Sequence, residues 1–489
     1  MFEEKILAKI VGAGNVSCKQ MVLDEYSEDM SFVNKVMPDY VVKPRNTDDV
    51  EKIVKLAKET LTPLVPVSSG PPHFRGDTVP SIGGAVMVDL SGMKKIIRVD
   101  RLNRVAMFEP GVTFGELIPA VAKEDLRLNM PLLPRKSKSV MGSMLEREPV
   151  LMPCYHWDIN DPLNCVEVVF GTGDMFRTGA AAGPGTIEEQ WAAGGAQIEA
   201  AGPTQFSVHR LVQGAQGTMG IVTWASARCE LLPELEESFL VGSSHMDKIL
   251  EMIHWLLRLR LVNECLLLNS SDLAAIMAKK WPDDYHNIKA QLPTWVLFLN
   301  IVGYKYFPEK RVSVQIKDMM DVAQRVGVEP VQTIGKVIAS ELLQTIQRPS
   351  EEPYWKLRYK GACQDIFFIT IYDKLPDLID EMCDLANKAG YPTSDLGIYL
   401  QPIVQGSNCH CEFNLFYNPD DPIETGKVRE LVSPSTIKKL MNKGAFFSRP
   451  YGEATDTIMS SNASTVDALR RVKSIFDPDN IMNPGKLCF

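Results

Sequence analysis

Residues Ser68–Thr78 read SSGPPHFRGDT and separate two short apolar runs, LVPV (64–67) and GGAVMVDL (83–90). A connection that only joins two strands needs about two to five residues, whereas this one holds two Gly, two adjacent Pro, a His and an Arg. Glycine-rich loops between strands present several backbone N–H groups together, and such loops bind phosphate oxygens without a lysine. The motifs GxGxxG and GxxxxGK[ST] do not occur. The stretch therefore predicts either a phosphate-binding loop or an extended surface loop.

The composition is that of a soluble globular protein with more than one domain. The chain has 489 residues, 45% hydrophobic and 23% charged, and this length exceeds one ordinary core. A net charge of −9 without a basic stripe argues against a nucleic-acid partner. No apolar run reaches the roughly 18 residues of a membrane span, and the acidic start MFEEKILAKIVGAG predicts no secretory signal. We therefore expect a cytoplasmic protein.

The ten cysteines are scattered, and no CxxC pair occurs. This spacing predicts free thiols in a reducing compartment and encodes neither an iron–sulfur cluster nor a zinc knuckle. Cys409 and Cys411 flank His410, but successive residues of a strand point to opposite faces. We therefore predict no metal site.

The pattern of predicted strands and helices changes near Pro233. Before it, short β-branched runs dominate, including the expected hairpin NCVEVVFGTGDMFRTG (164–179). After it, longer amphipathic helices alternate with strands, and LGIYLQPIV (396–404) is expected to pair with CHCEFNLFYN (409–418). These patterns predict an α+β fold in which the second region has helices flanking an antiparallel sheet.

Several segments around the loop occur in a fixed order. They are VVKPRNTDDV (41–50), the loop itself, VDLSGMKKIIRVD (88–100), EPGVTFGEL (109–117), GAQGTMGIVT (214–223) and FDPDNIMNPGK (476–486). Together they resemble the FAD-binding oxidoreductases of the vanillyl-alcohol oxidase family, over most of residues 38–233 and the last forty residues. The resemblance implies FAD as the cofactor.

The resemblance also implies a domain organisation. An N-terminal extension (1–37) precedes a PCMH-type FAD-binding domain (38–233), a cap domain (234–445) covers the isoalloxazine ring, and a C-terminal segment (446–489) returns to the FAD domain. In this family the loop binds the FAD pyrophosphate. The corresponding residues of this chain are Ser68, Ser69, Gly70, Pro71, Pro72, His73, Arg75 and Gly76.

Two branches of the family compete. SVMGSMLEREPVLMP (139–153), followed by VEVVFGTGDMFRTG (166–179), looks most like the vanillyl-alcohol oxidase and 4-cresol dehydrogenase branch. The D-2-hydroxyacid dehydrogenase branch carries a metal-binding HxGDGNxH, of which only Asn408 and His410 remain in IVQGSNCH (403–410). The first branch implies further flavin contacts from Ser143, Glu146, Arg147, Gly220 and Ile221.

Candidate anion-binding residues follow from the same resemblance. Arg449, in FFSRPYG, stands where phenol-oxidising relatives hold a phenolate, and a guanidinium presents a planar, permanently charged fork. Tyr451 is expected to line the same pocket. Arg75 stands where relatives usually carry a Tyr, and it is expected to bind either a substrate anion or the FAD diphosphate. Tyr354 and Trp355 form an aromatic cluster that is either part of the pocket or an ordinary domain contact.

Three histidines and an aspartate are candidates for proton transfer or flavin attachment. His156 and Asp158, in CYHWDIND, fall where relatives place an acidic residue beside flavin N5, and either suits a base. His410 is expected either to act in the active site without a covalent bond or to be the first candidate for a covalent tether to the flavin, and His73 is the second candidate for a tether. Each of these residues also has a simpler structural role open to it.

The resemblance predicts an FAD-dependent oxidoreductase that oxidises a para-substituted phenol or a related aromatic by hydride transfer to flavin N5. The alternatives are an FAD-dependent D-2-hydroxyacid dehydrogenase of the lactate or glycolate type, and a flavoprotein electron-transfer subunit of a larger complex. We expect a small-molecule substrate, an electron acceptor of unknown identity and a homo-oligomer, with a homodimer as the simplest form.

Overall fold

The computed structural model describes residues 4–155, 161–202 and 207–489. The described residues form three main sheets that follow one another along the chain. The first sheet is mixed, with the order β1-β2-β4-β3. Its strands are β1 (Val16–Ser17), β2 (Tyr40–Val42), β3 (Leu64–Val67) and β4 (Val86–Asp89). Strands β2 and β3 both run parallel to β4, because a helix crosses over between β2 and β3.

The second sheet is antiparallel in all its pairings. Its strands are β5 (Ile96–Asp100), β6 (Val105–Phe108), β7 (Leu126–Leu128), β8 (Leu163–Phe170), β9 (Met175–Arg177) and β10 (Gly220–Leu231). Strands β8 and β9 form the hairpin that the segment 164–179 predicts, with Glu167 opposite Arg177. The order is β5-β6-β10-β8-β9, and β7 pairs with the far end of β10.

The third sheet is the antiparallel sheet expected for the cap, with the order β14-β11-β13-β12-β18-β19-β17. Its strands are β11 (Leu235–Ser243), β12 (Glu264–Asn269), β13 (Trp295–Gly303), β14 (Pro330–Val331), β17 (Ala362–Thr370), β18 (Leu396–Ile403) and β19 (Asn408–Tyr417), with β15 (Thr333–Ile334) and β16 (Val337–Ile338) forming a separate hairpin. Strands β18 and β19 pair as the sequence predicts. Strand β10 ends at Leu231 and β11 begins at Leu235, on either side of the predicted domain boundary.

Helices pack on these sheets. Those of the N-terminal half are α1 (Glu4–Val11), α2 (Gln20–Ser27), α3 (Thr47–Thr60), α4 (Phe114–Ala122), α5 (Val140–Leu145) and α6 (Ile187–Ala192). Those of the cap are α7 (Met246–Arg258), α8 (Ser270–Met277), α9 (Asp283–Lys289), α10 (Pro308–Val326), α11 (Ala339–Ile346), α12 (Trp355–Arg358), α13 (Leu375–Lys388), α14 (Pro422–Leu431) and α15 (Pro434–Asn442). The C-terminal segment adds α16 (Thr455–Met459) and α17 (Ala463–Phe476).

The C-terminal segment packs against the first two sheets. Leu64 N donates to Ile481 O at 2.8 Å, and Asn483 N donates back to Leu64 O at 2.8 Å. The buried Lys473 donates from Nζ to Thr218 O at 2.6 Å. Asn483 Nδ2 donates to Asp77 O and Gln216 O at 2.9 and 2.7 Å. The last residues of the chain therefore fix the end of the glycine-rich loop.

The N-terminal extension also contacts this region, through Tyr26, whose hydroxyl donates to Asp89 Oδ2 at 2.9 Å. Among the described residues, none of the ten cysteines forms a disulfide. Within the described ranges, no helix is both long enough and apolar enough to cross a bilayer.

Candidate active site

The loop after β3 lies against the start of α5. Ser69 Oγ accepts a hydrogen bond from Ser139 N at 2.9 Å. The Ser139 hydroxyl in turn caps α5 by accepting from Gly142 N at 2.9 Å. A Cβ at Gly142 would lie 2.9 Å from Ser68 Oγ, so glycine at this position lets the helix and the loop approach closely.

The loop leaves several backbone donors without a protein acceptor. Over the described part of the chain, the backbone N–H groups of Ser69, Gly70 and His73 donate no hydrogen bond to another backbone group. A Cβ at Gly70 would meet no atom within 4 Å, so space is open beside the main chain there. Clustered free N–H groups next to open space suit an oxygen-rich anion. The loop therefore fits the diphosphate of FAD.

The far end of the loop is fixed by the N-terminal extension. Gly76 N donates to Asp29 Oδ2 at 2.6 Å. Gly76 has a φ of +75°, and a Cβ there would lie 2.5 Å from Val33 Cγ1. Both the backbone angle and the close contact require glycine at this position. Pro71 and Pro72 are exposed.

A cavity lies between this loop, α5, the segment 212–222 and the cap sheet. The predicted residues that border it are Ser68, Ser69, His73, Arg75, Glu146, Gly220, Ile221, Arg449 and Tyr451. The other predicted residues in the described ranges do not border it: Gly70, Pro71, Pro72, Gly76, Ser143, Arg147 and His410. His156 and Asp158 lie outside the described residues. Nine of these sixteen predicted residues in the described ranges thus border one cavity, although they come from distant parts of the chain.

Arg75 is held by two carboxylates on the α5 side of the cavity. It forms ion pairs with Glu146 and, at 3.0 Å, with Glu148. Lys138 Nζ lies 3.0 Å from Glu146 and 2.9 Å from Glu148. Burial lowers the pKa of Arg75, but the two carboxylates outweigh burial and raise it well above its ordinary value. Arg75 is therefore a neutralised cation in this structure.

Ser143 and Arg147 act one layer behind the cavity. Ser143 Oγ donates to Glu148 Oε2 at 2.6 Å, which orients the carboxylate that binds Arg75. Arg147 Nη2 donates to Ser448 O at 2.8 Å and so connects the end of α5 to the residue before Arg449. Both side chains border a smaller neighbouring cavity.

Arg449 differs from Arg75 in its partners. It is only 5% exposed, and its guanidinium carbon lies 4.3 Å from the centre of the Phe367 ring. Its Nη1 donates to the backbone oxygen of Glu146 at a long 3.4 Å, and in the described ranges no carboxylate forms an ion pair with it. Burial lowers its pKa, and the nearby charge of Arg75 lowers it further. Tyr451 borders the same space, and burial raises the pKa of its hydroxyl.

The cap wall of the cavity contains a buried lysine between two acids. Lys356 Nζ lies 2.8 Å from Asp365 Oδ2 and 2.6 Å from Glu412 Oε1. Burial lowers the pKa of Lys356, but these two carboxylates raise it well above its usual range. Glu412 also contacts His410, with Oε2 and Nε2 3.3 Å apart. Burial lowers the pKa of His410, only partly opposed by Glu412, so its imidazole is neutral near pH 7.

Several cavity residues were not among the sequence-based candidates. They are Arg135, Lys138, Glu148, Lys356, Asp365 and Glu412. Arg135 and Lys138 stand in the basic run PRKSK (134–138) just before α5. This cluster of charges is visible in the sequence, but it does not show that the run faces the cavity. Lys356 sits beside Tyr354 and Trp355, which do border the cavity. Its acidic partners, Asp365 and Glu412, lie on strands β17 and β19. Their spacing in the sequence gives no indication that they meet Lys356.

Two family models match parts of the chain. Residues 38–179 match the FAD binding domain, and residues 457–487 match the C-terminal domain of FAD linked oxidases. With the three sheets and the loop cavity, these matches define the protein as an FAD-dependent oxidoreductase with a PCMH-type FAD-binding fold.

Individual relatives are distant but cover nearly the whole chain. The glycolate oxidase subunit GlcD of Bacillus subtilis is 24% identical over 94% of this chain and 91% of its own length. The flavoprotein subunit of the hydroxylating 4-cresol dehydrogenase of Pseudomonas putida is 22% identical over 98% and 93%. The crystal structure of p-cresol methylhydroxylase with substrate bound superposes with a TM-score of 0.82 at 18% identity, over 99% and 96%. This last likeness supports the fold, and the relatives represent both branches that the sequence resembles.

Proposed function

We propose that the protein oxidises a para-substituted phenol or a related aromatic that binds with its anionic oxygen on Arg449. The observation that carries this proposal is the contrast between the cavity cations. Arg75, Lys138 and Lys356 each have two carboxylate partners, whereas among the described residues the buried Arg449 has a single long hydrogen bond, to a backbone oxygen. Arg135, the other cavity cation without an ion pair to a described carboxylate, contacts the glycine-rich loop instead. An unpaired buried charge is unfavourable, and a bound anion relieves it.

The walls of the site favour an aromatic substrate. Phe74, Tyr354, Trp355, Tyr399 and Tyr451 border the cavity. Phe367 lies directly beneath Arg449 and meets Tyr451 edge-on, with ring centres 6.1 Å apart. An aromatic ring packs favourably edge-to-face or offset against such walls. An aromatic body with one anionic oxygen therefore matches both the lining and the free cation.

The chain then has to orient the substrate and receive one proton. FAD, when bound, supplies the acceptor for a hydride at N5. Arg449 stabilises the phenolate, so the substrate loses its phenolic proton more easily on binding. Tyr451 keeps its proton because burial raises its pKa, and it can donate a hydrogen bond to the same oxygen. His156 or Asp158 is proposed as the group that accepts the proton.

A second candidate is oxidation of a D-2-hydroxy acid, with the substrate carboxylate on Arg449. The specific observation in its favour is the relative named as a glycolate oxidase subunit, at 24% identity over 94% of the chain.

A third candidate function, electron transfer within a complex, follows from the relative named as a flavoprotein subunit. In this case the protein passes its electrons to a partner protein, and substrate oxidation requires the complex of the two.

The test is an anaerobic titration of the flavin absorption band. Wild type and Arg449→Gln are mixed separately with 4-methylphenol, 4-ethylphenol, D-lactate and glycolate. Arg429→Gln is the matched control, because Arg429 is an exposed cation paired with Glu453. We expect the phenols to bleach the wild-type flavin and the R449Q rate at low substrate to fall by about 100-fold, with R429Q unchanged.

Each other result decides against the proposal. Bleaching by D-lactate or glycolate alone supports the second candidate. No bleaching by any of the four compounds, with reduction restored by a cell extract that contains the native complex, supports the third. Equal phenol oxidation by wild type and R449Q removes the role of Arg449.

A further inference from the structure

Arg135 is a buried cation beside the glycine-rich loop. It is 5% exposed and borders the main cavity. Its Nη2 donates to Gly70 O at a long 3.5 Å, and its guanidinium carbon lies 5.3 Å from the centre of the Phe74 ring. Both contacts come from the loop Ser68–Thr78. The loop therefore positions this guanidinium.

One nitrogen of Arg135 lacks a partner. Nη1 is buried and forms no hydrogen bond with any described residue, and the ion pairs that neutralise Arg75 and Lys138 do not extend to it. A guanidinium that is buried with an unsatisfied donor is unfavourable by itself. Such a group is usually explained by a ligand or an ion.

The ligand chemistry follows from the surroundings. The backbone N–H groups of Ser69, Gly70 and His73 donate to no backbone group of the described residues, and they belong to the loop that Arg135 contacts. His73 contributes no positive charge, because burial, with the charge of Arg135, lowers its pKa to about 4. Arg135 thus places a positive charge beside the neutral backbone N–H donors of the loop. A diphosphate matches a planar fork next to backbone N–H groups.

We propose that Arg135 binds the diphosphate of FAD and supplies positive charge beside the glycine-rich loop, whose own Arg75 is paired with Glu146 and Glu148. The inference requires only the FAD site and is independent of the phenolic substrate. It also gives a role to Arg135 in the run PRKSK (134–138), which immediately precedes the helix that packs on the loop.

The test compares two flavins on apoprotein, by quenching of flavin fluorescence. FAD carries the diphosphate, whereas riboflavin has the same ring without it. Arg135→Gln removes the charge and Arg135→Lys keeps it without the planar fork. Lys136→Gln is the matched control, because Lys136 is the neighbouring exposed cation paired with Glu351.

We expect R135Q to raise the dissociation constant for FAD by about 10- to 100-fold, and to leave that for riboflavin within about 2-fold. R135K is expected to lie between wild type and R135Q, and K136Q to match wild type. An unchanged FAD affinity in R135Q overturns the inference, and so does an equal loss for both flavins. If R135Q does not fold, R135K is tested in the same way, by comparing its change in dissociation constant for FAD with its change for riboflavin. A failure of phenol oxidation with the FAD result intact counts only against the proposed function.

Discussion

Arg75 and Arg449 lie over the same aromatic ring, with guanidinium carbons 5.0 and 4.3 Å from the centre of Phe367. Their surroundings are nevertheless opposite, since Glu146 and Glu148 neutralise Arg75, whereas no carboxylate of the described part of the chain pairs with Arg449. Two cations on one ring would repel each other in the absence of counter-charges. This arrangement therefore leaves one cation structural and the other available for a substrate anion.

The first prediction concerns Arg75. Arg75→Met is expected to lower the free energy of unfolding by about 2–4 kcal/mol, because Glu146 and Glu148 then share only Lys138. Its effect on the apparent affinity for a phenol is expected to be smaller than that of R449Q. Chemical denaturation and flavin titration measure the two quantities. Arg101→Met, which breaks an exposed ion pair with Asp125, is the control and is expected to change stability by less than about 1 kcal/mol. An intact fold with lost phenol binding in R75M contradicts the prediction.

The second prediction concerns the buried lysine of the cap. Lys356→Met leaves Asp365 and Glu412 as uncompensated carboxylates and is expected to lower stability by about 3–5 kcal/mol. The triple variant K356M/D365N/E412Q is expected to recover a large part of this loss, since the excess charge is gone. Thermal unfolding of both variants measures the difference. Lys35→Met, at an exposed pair, is the control, and a triple variant no more stable than K356M refutes the charge argument.

The third prediction is a pH dependence from His73. Its pKa in the fold is about 4, lowered by burial and then by Arg135, against about 6.5 in the unfolded chain. Between these values the unfolded chain binds more protons, so the neutral His73 stabilises the fold above pH 6.5 and this stability is lost as the pH falls toward 4. The stability of wild type relative to His73→Gln is therefore expected to fall by about 1–2 kcal/mol between pH 7 and pH 5.

Denaturant unfolding of apoprotein at both pH values measures this change. His254→Gln is the matched control, because His254 is exposed. A wild-type advantage over H73Q that stays constant from pH 7 to pH 5 rules out a buried neutral His73.

The fourth prediction concerns the attachment of the flavin. His410 is 2% exposed, contacts Glu412 and does not border the cavity. We therefore expect acid precipitation to release the flavin into the supernatant. A yellow pellet would contradict this, and comparison of His410→Ala with His73→Ala would then identify the tether, since His73 does border the cavity.

Much of the fold was predictable because its signals are local. The hairpin of β8 and β9 follows from alternating apolar residues around GTGD, and β18 pairs with β19 as expected. Helix α3 begins at Thr47, and the side chain of Asn46 caps it by accepting from Asp49 N. The sequence did not predict the parallel pairing of β2 and β3 with β4. Strand β4 follows the long glycine-rich loop, and no local pattern shows which strands pair across such a connection.

The site was predictable only in part, for a related reason. Arg75, Arg449 and Tyr451 were candidates and do border the cavity. The sequence did not indicate that Glu146 and Glu148 neutralise the first of these arginines, nor that Lys356 is enclosed by Asp365 and Glu412.

The sequence by itself determined the glycine-rich loop and the residue types available for binding an anion, since backbone N–H groups and side-chain charges are properties of contiguous residues. Only the tertiary structure decided which cations of the cavity have carboxylate partners. Ion pairing depends on distance in space: the Glu146 carboxylate pairs with Arg75 across 71 residues of chain, whereas only the backbone oxygen of Glu146 meets Arg449, across 303 residues. Coulomb attraction falls with that distance and is independent of sequence separation.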